Sequence, residues 1–237
     1  MEDPRITESS GLARSTVHPG VLYTHNDRGG APSVFAVDGS GTRAVLRLDV
    51  AATDWEDIAT TSDGMIWVAD TGDNDGVRES VQLHVAEEPD TLVSSTLSAT
   101  TYDLRYPDGP HDAEALLVDP ADDRVYLVTK DEEEGRVYQA PEELDPEGVN
   151  ELRRVGTAPA NVTGGDFSPD GRLVALRNQG KAYFATEPGG ATTELTLPSQ
   201  PQGESITFTS DGLFVLVGSE GVDSTIRCMP TPRGIED

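Results

Sequence analysis

The chain has 237 residues, 43 acidic against 17 basic, for a formal charge of −26, and only 35% of it is hydrophobic. Such a surface repels nucleic acid and anionic lipid, so neither is expected as a partner, and it favours metal ions, cationic ligands and saline surroundings. No stretch approaches the roughly 18 apolar residues of a membrane helix, and the single cysteine, Cys228, excludes an internal disulfide.

In chain order, Met1-Glu2-Asp3-Pro4 lacks the positively charged start and apolar run of a secretory leader. Two expectations stand: a cytoplasmic protein, or an exported one read without its leader. From Glu8 the chain falls into five similar units. Each has a small or acidic residue, a short apolar run, a turn and a second apolar run. They are Glu8–Asp27, Asp54–Gly72, Asp112–Lys130, Thr163–Asn178 and Gly203–Gly218. The aligned positions Ser10, Glu56, Glu114, Gly165 and Glu204 lie 46, 58, 51 and 39 residues apart, which brackets the period of four-stranded propeller blades.

The second unit reads as strands over Asp57–Thr60, Met65–Ala69, Ser80–Ala86 and Thr100–Leu104, with Ser62-Asp63-Gly64 as the first turn. The fourth repeats this order over Asp166–Ser168, Leu173–Leu176, Lys181–Ala185 and Thr193–Leu197, turning at Pro169-Asp170-Gly171. The runs are short, β-branched or aromatic, and bounded by Asp-Gly, so strand is favoured over helix. Glu87–Leu97 and Pro141–Glu151 read as short helical or irregular insertions. The fifth unit offers three strands, Ser205–Thr209, Leu213–Gly218 and Thr225–Met229. Its fourth is expected from Pro4–Thr7, joining the chain ends. The expected fold is all-β: a five-bladed β-propeller spanning residues 1–237 as one domain, its ring closed by the N-terminal strand on the last blade, which removes open sheet edges.

In a propeller, residues before the first strands and after the second strands converge on one mouth of the central channel. Before the first strands stand Glu8, Asp54, Glu56, Asp57, His111, Asp112, Glu114, Asp166 and Glu204. After the second stand His25, Asn26, Asp27, Asp70, Asp73, Asn74, Lys130, Arg177, Asn178, Ser219 and Glu220. Carboxylates crowded in a channel persist if a cation sits among them, if some are protonated, or if Lys and Arg pair with them. A hard divalent cation with oxygen ligands, calcium first, is the simplest solution. The alternative is that these acids bind backbone amides of neighbouring blades. Asp70 to Gly76 resembles half of a calcium loop, but a tight Asp/Asn/Gly turn explains it equally well. His25 and His111, with Lys130 and Arg177 on the same face, are candidate proton-transfer and substrate-orienting groups.

No Gly-x-Ser-x-Gly elbow, Walker loop, His-Glu-x-x-His helix or Cys-x-x-Cys pair occurs. The strings ITESSGLA, HPGVLYTHND, DWEDIA, VADTGDN, YPDGPHDAEALLV, FSPDG and QPQGESI resemble a family of largely uncharacterised β-propeller proteins, chiefly actinobacterial and often exported, over about Pro4 to Pro230. That resemblance implies an extracellular location. A looser resemblance links the chain to the calcium-dependent propeller hydrolases, regucalcin and gluconolactonase, and to the esterase-like domain related to phytases. In those proteins Glu, Asn and Asp from several blades hold a divalent ion. The resemblance implies Glu8, Asn26, Glu56, Asp70, Glu114 and Glu204 in that part, although gluconolactonases have six blades.

Three functions compete. The first is a metal-dependent hydrolase of a small ester, lactone or phosphoester. Its metal ligands come from Glu8, Asn26, Asp54, Glu56, Asp70, Asp112, Glu114 and Glu204, and its catalytic groups are His25, His111, Lys130 and Arg177. The second is a non-catalytic module binding a small ligand, a sugar or a protein, and the third a lyase or biosynthetic role. The protein is expected to be a monomer.

Overall fold

The computed structural model describes residues 2–27 and 31–235, and among these there is no helix. Five small sheets form five blades around a central channel. The first is built from β1 (Ser9–Arg14), β2 (Leu22–Asn26), β3 (Ser33–Asp38) and β4 (Gly41–Leu48). The second uses β5 (Trp55–Thr60), β6 (Met65–Asp70), β7 (Val81–Glu87) and, after a short β8 (Ser95–Leu97), β9 (Ala99–Arg105). The third has β10 (Ala113–Val118), β11 (Val125–Thr129) and β12 (Gly135–Gln139), then β13 (Val149–Glu151) and β14 (Arg153–Ala158). The fourth comprises β15 (Gly164–Phe167), β16 (Val174–Arg177), β17 (Lys181–Ala185) and β18 (Thr193–Thr196). The fifth comprises β19 (Gly203–Phe208), β20 (Phe214–Ser219) and β21 (Arg227–Pro230).

Local chemistry explains the repeated hairpins. Thr61, Ser168 and Thr209 each donate a hydroxyl hydrogen bond to the aspartate two residues on, at 2.5–2.7 Å. The glycine that follows each aspartate takes positive φ (Gly64, Gly171, Gly212), a conformation that a side chain would strain. Alternate strand residues then face the neighbouring blades. Four apolar clusters fill the successive seams, for example Tyr23, Leu46, Ile58 and Val68 between the first two blades, and Leu83, Leu104, Leu116 and Leu127 between the next two. The seams joining the third, fourth and fifth blades hold Leu117, Val128 and Phe167, then Phe184, Ile206 and Phe208.

Two expectations change. Glu87–Leu97 and Pro141–Glu151 hold no helix; each ends in a short strand that crosses to the preceding blade. There β8 pairs in parallel with β4, and β13 with β9, so each connection staples adjacent blades by satisfying an outer edge. Pro4–Thr7 does not pair with the last sheet, which keeps three strands. Instead Ile6 is buried against Phe35 and Val37 of the first blade, where its apolar side chain gains more than an exposed edge offers. The ring closes through packing of β1 on β19, helped by a Gly221 N–H bond to the Thr7 carbonyl at 3.2 Å.

Candidate functional site

The mouth is a regular array of backbone positions with one exception. In four blades a residue one or two places after the second strand donates its N–H to the carbonyl of the residue just before the first. The pairs are Asp27 with Glu8, Gly72 with Asp54, Lys130 with Asp112, and Glu220 with Gln202, at 2.9–3.1 Å. Two residues after each pre-strand position come Ser10, Glu56, Glu114 and Glu204. In these same four blades the pairing of first and second strands slips at that point. The slip is a β-bulge, which turns an extra residue out of the ladder and re-aims its side chain. The fourth blade pairs without interruption from Gly164 to Phe167 and has no acid there.

The bulges bring carboxylates together. Asp27, Asp54 and Glu56 offer oxygens within 4.8 Å of one another, and so do Glu56, Asp112 and Glu114. Glu56 belongs to both trios. Asp54, Glu56, Glu114 and Glu204 are buried, Asp112 partly so. Gly72 makes room: a Cβ on it would collide with the Glu56 Oε1 and Asp54 Oδ2 atoms. At the equivalent place in the other three blades stand the side chains of Asp27, Lys130 and Glu220.

The electrostatics follow from burial and crowding. Burial pushes the Glu56 carboxyl far above its ordinary value, with Glu114, Asp27, Asp54 and Asp112 adding to the effect. Burial also raises Glu114, against the pull of Lys130. The Lys130 ammonium donates to Glu114 Oε1 at 2.5 Å. Burial lowers the pKa of Lys130, but Glu114, Glu204 and Glu56 outweigh it and hold the group charged. Asp112 and Glu204 are raised chiefly by burial. At the rim, Glu220 is pushed up to about 7 by burial and by Glu204 and Glu8. Glu8 itself is exposed.

Of the sequence-derived candidates, Asp54, Glu56, Asp112, Glu114, Glu204 and Lys130 converge, with Glu8 on the rim. The rest have other occupations. Asn26 accepts from the Thr7 and Glu8 N–H groups and donates to the Arg5 carbonyl, which pins the N-terminal segment. Asp70 accepts from the N–H groups of Thr53 and Asp54 and pairs with Arg78 at 2.9 Å, with His84 at 3.5 Å, so its oxygens face the blade interior. His25 is fully buried edge-on to Trp55, its Nδ1–H directed at the Asn26 carbonyl at 3.1 Å, and burial lowers its pKa to about 4. His111 donates from Nε2 to Asp108 and accepts at Nδ1 from Arg136, stacked on Tyr138. Arg177 is fully buried, and its guanidinium bonds the Ser205 and Gly218 carbonyls at 3.1 and 2.9 Å, clamping the fourth blade to the fifth. The half-loop from Asp70 to Gly76 is a turn: Asp73 accepts from the N–H groups of Val77 and Arg78.

Asp27 and Glu220 belong to the mouth although they were outside the chosen ligand set. Their signal was position: the first residue past the second strand faces the channel, whereas the strand's last residue faces the sheet. Asp57, also outside that set, lies deeper and bridges three blades. Its carboxylate accepts from the N–H groups of Leu116 and Gly165 as well as Ile58.

No family model matches the chain, and no curated protein does. Among solved structures the chain is similar to a gluconolactonase from Xanthomonas campestris, with a TM-score of 0.55, 13% identity, and coverage of 96% of this chain and 87% of that one. It is also similar to a putative TolB from Agrobacterium tumefaciens, with a TM-score of 0.52, 13% identity, and coverage of 95% and 78%. At such identity the likeness establishes the propeller fold.

Proposed function

We propose that the acidic mouth is a divalent-cation centre that hydrolyses a small ester or lactone. The observation that carries this reading is the pair of buried carboxylate trios sharing Glu56. Their chemistry fits the group: the donors are all hard oxygens, which suit calcium, magnesium or manganese better than a metal preferring nitrogen or sulfur. The space left by Gly72 lies beside two of them. The fold likeness to a gluconolactonase agrees with lactone chemistry in such a mouth.

Asp27, Asp54, Glu56, Asp112 and Glu114 would hold the cation, and the cation would polarise a carbonyl oxygen and acidify a water. Lys130, a third exposed, presents positive charge toward the oxygen that becomes negative during acyl transfer. Glu204, buried and with a raised pKa, would accept the proton given up by water. His25 and Arg177 take no part, because one is sealed in the seam between blades and the other is spent on backbone carbonyls. The missing acid of the fourth blade leaves one side of the mouth uncharged for a neutral acyl group.

The test is a screen of lactones and aryl esters with calcium, magnesium or manganese, repeated after chelation. Turnover that depends on the cation and vanishes in Glu114→Gln supports the proposal. Turnover indifferent to chelator overturns the cation's part in the reaction, and a complete lack of turnover with a ligand-induced rise in melting temperature assigns the mouth to binding instead.

A further inference from the structure

The mouth carboxylates Asp27, Asp54, Glu56, Asp112 and Glu114 do not all converge on one point. They fall into two trios, one bridging the first and second blades (Asp27, Asp54, Glu56) and one bridging the second and third (Glu56, Asp112, Glu114). A single ion placed in either trio therefore leaves the far pair of the other without it. On the third-blade side Lys130 contacts Glu114, but one ammonium faces Asp112 as well as Glu56 and Glu204.

Two further observations point to ligands rather than to a self-satisfied cluster. Glu56 is 3% exposed, and its carboxylate makes no hydrogen bond with any described residue, even though it lies at the junction of the two trios. Buried carboxylates are normally well supplied with donors, and one left without them points to a missing partner. Across the mouth, Glu204 is 5% exposed and its Oε2 likewise has no partner among the described residues. A bulge spends backbone pairing to aim a side chain, and here it aims Glu56 at a place where no described residue donates to its carboxylate.

We infer that the mouth binds two divalent cations side by side, with the Glu56 carboxylate as their shared ligand. Asp27 and Asp54 complete one position, and Asp112 and Glu114 the other. Carboxylates commonly bridge paired cations about 3.5–4 Å apart, a separation compatible with trios that overlap at one residue. This inference rests on the reading of the mouth as a cation centre and extends it to number and arrangement. At the second position Lys130 must yield Glu114, which frees its ammonium toward the substrate side.

The experiment is metal stoichiometry of chelator-treated protein titrated with manganese, read by calorimetry and by electron paramagnetic resonance. About two manganese ions per chain with a spin-coupled signal are expected. Asp54→Asn and Glu114→Gln should each reduce the ratio to about one and leave an uncoupled spectrum, while Glu56→Gln should abolish the coupling. One ion per chain in the unaltered protein overturns the paired site but leaves the proposed function standing. No binding overturns both. Two ions that persist uncoupled, or a coupled signal that survives Glu56→Gln, overturns the sharing by Glu56. Circular dichroism of each variant separates lost binding from lost folding, and His111→Gln, outside both trios, should keep the full ratio.

Discussion

Replacing Glu56 by glutamine should make the metal-free protein more stable. Glu56 is 3% exposed, and burial with four neighbouring acids raises its pKa from 4.5 to about 11. A carboxyl raised in the folded state favours folding below its unfolded pKa and loses that advantage as pH rises toward the folded value. At pH 7 the unfolded chain has Glu56 ionised, whereas the folded chain must keep it protonated. The penalty is set by the distance from 4.5 to 7, about 3 kcal/mol, and is insensitive to how far above 7 the folded value lies. Glutamine keeps the shape and removes the proton uptake. In chelator at pH 7, Glu56→Gln should therefore melt roughly 6–12 °C above the unaltered protein. The gap should close as the pH approaches 4.5. With calcium at about a thousandfold excess over the dissociation constant the order should reverse, because the unaltered protein then gains about 4.1 kcal/mol. Differential scanning calorimetry in chelator and in calcium reads both. A variant less stable than its parent in chelator, or one that keeps the calcium-induced rise, refutes the reasoning.

Gly72→Ala places a methyl against the Glu56 and Asp54 carboxylates, so it should abolish the calcium-induced melting shift while far-ultraviolet circular dichroism stays unchanged. Arg177→Met removes a buried guanidinium that serves two carbonyls of the fifth blade; urea denaturation should show a loss of about 3 kcal/mol, whereas a purely substrate-binding arginine would leave the midpoint in place. His25 has a folded pKa lowered to about 4 from 6.5. Its contribution is therefore present above pH 6.5 and is lost as pH falls toward 4, by up to about 3 kcal/mol. Its ring resonances in a proton–nitrogen NMR titration should remain those of neutral imidazole at pH 5, and a midpoint near 6.5 would show the ring to be open to water.

The fold was legible because a propeller writes its architecture as a repeat. Ser10, Glu56, Glu114 and Glu204 fall at equivalent places because their backbones do, and the Asp-Gly turns mark hairpins through chemistry that operates within four residues. The site was legible only in part. Which side of a strand end faces the channel depends on a single residue of register, and the bulges that reset it leave no mark in composition. Asn26 and Asp70 end their strands and point into the blades; Asp27, one step past the end, points into the mouth. Arg177 and His25 were read as mouth groups by the same error, since both end or nearly end a second strand and both are drawn inward by carbonyl partners. Glycine misled in the opposite direction, because the important property of Gly72 is the side chain it lacks.

The contrast between the blades locates where stability was given up. The apolar seams are continuous from the first blade through the fifth, and the fourth blade shows that this chain can build an inner hairpin without a bulge. The other four each interrupt that hairpin at one position, and three of them place a buried glutamate there. Strand pairing alone favours none of these departures, and the resulting carboxylates repel one another at every pH where they are ionised. Such departures from regular pairing concentrate at a working surface. On the proposed reading a cation would reverse the sign of the interaction, so the same carboxylates that oppose folding in chelator would favour it when loaded. The mouth would then be the part of the ring whose stability depends on what it binds.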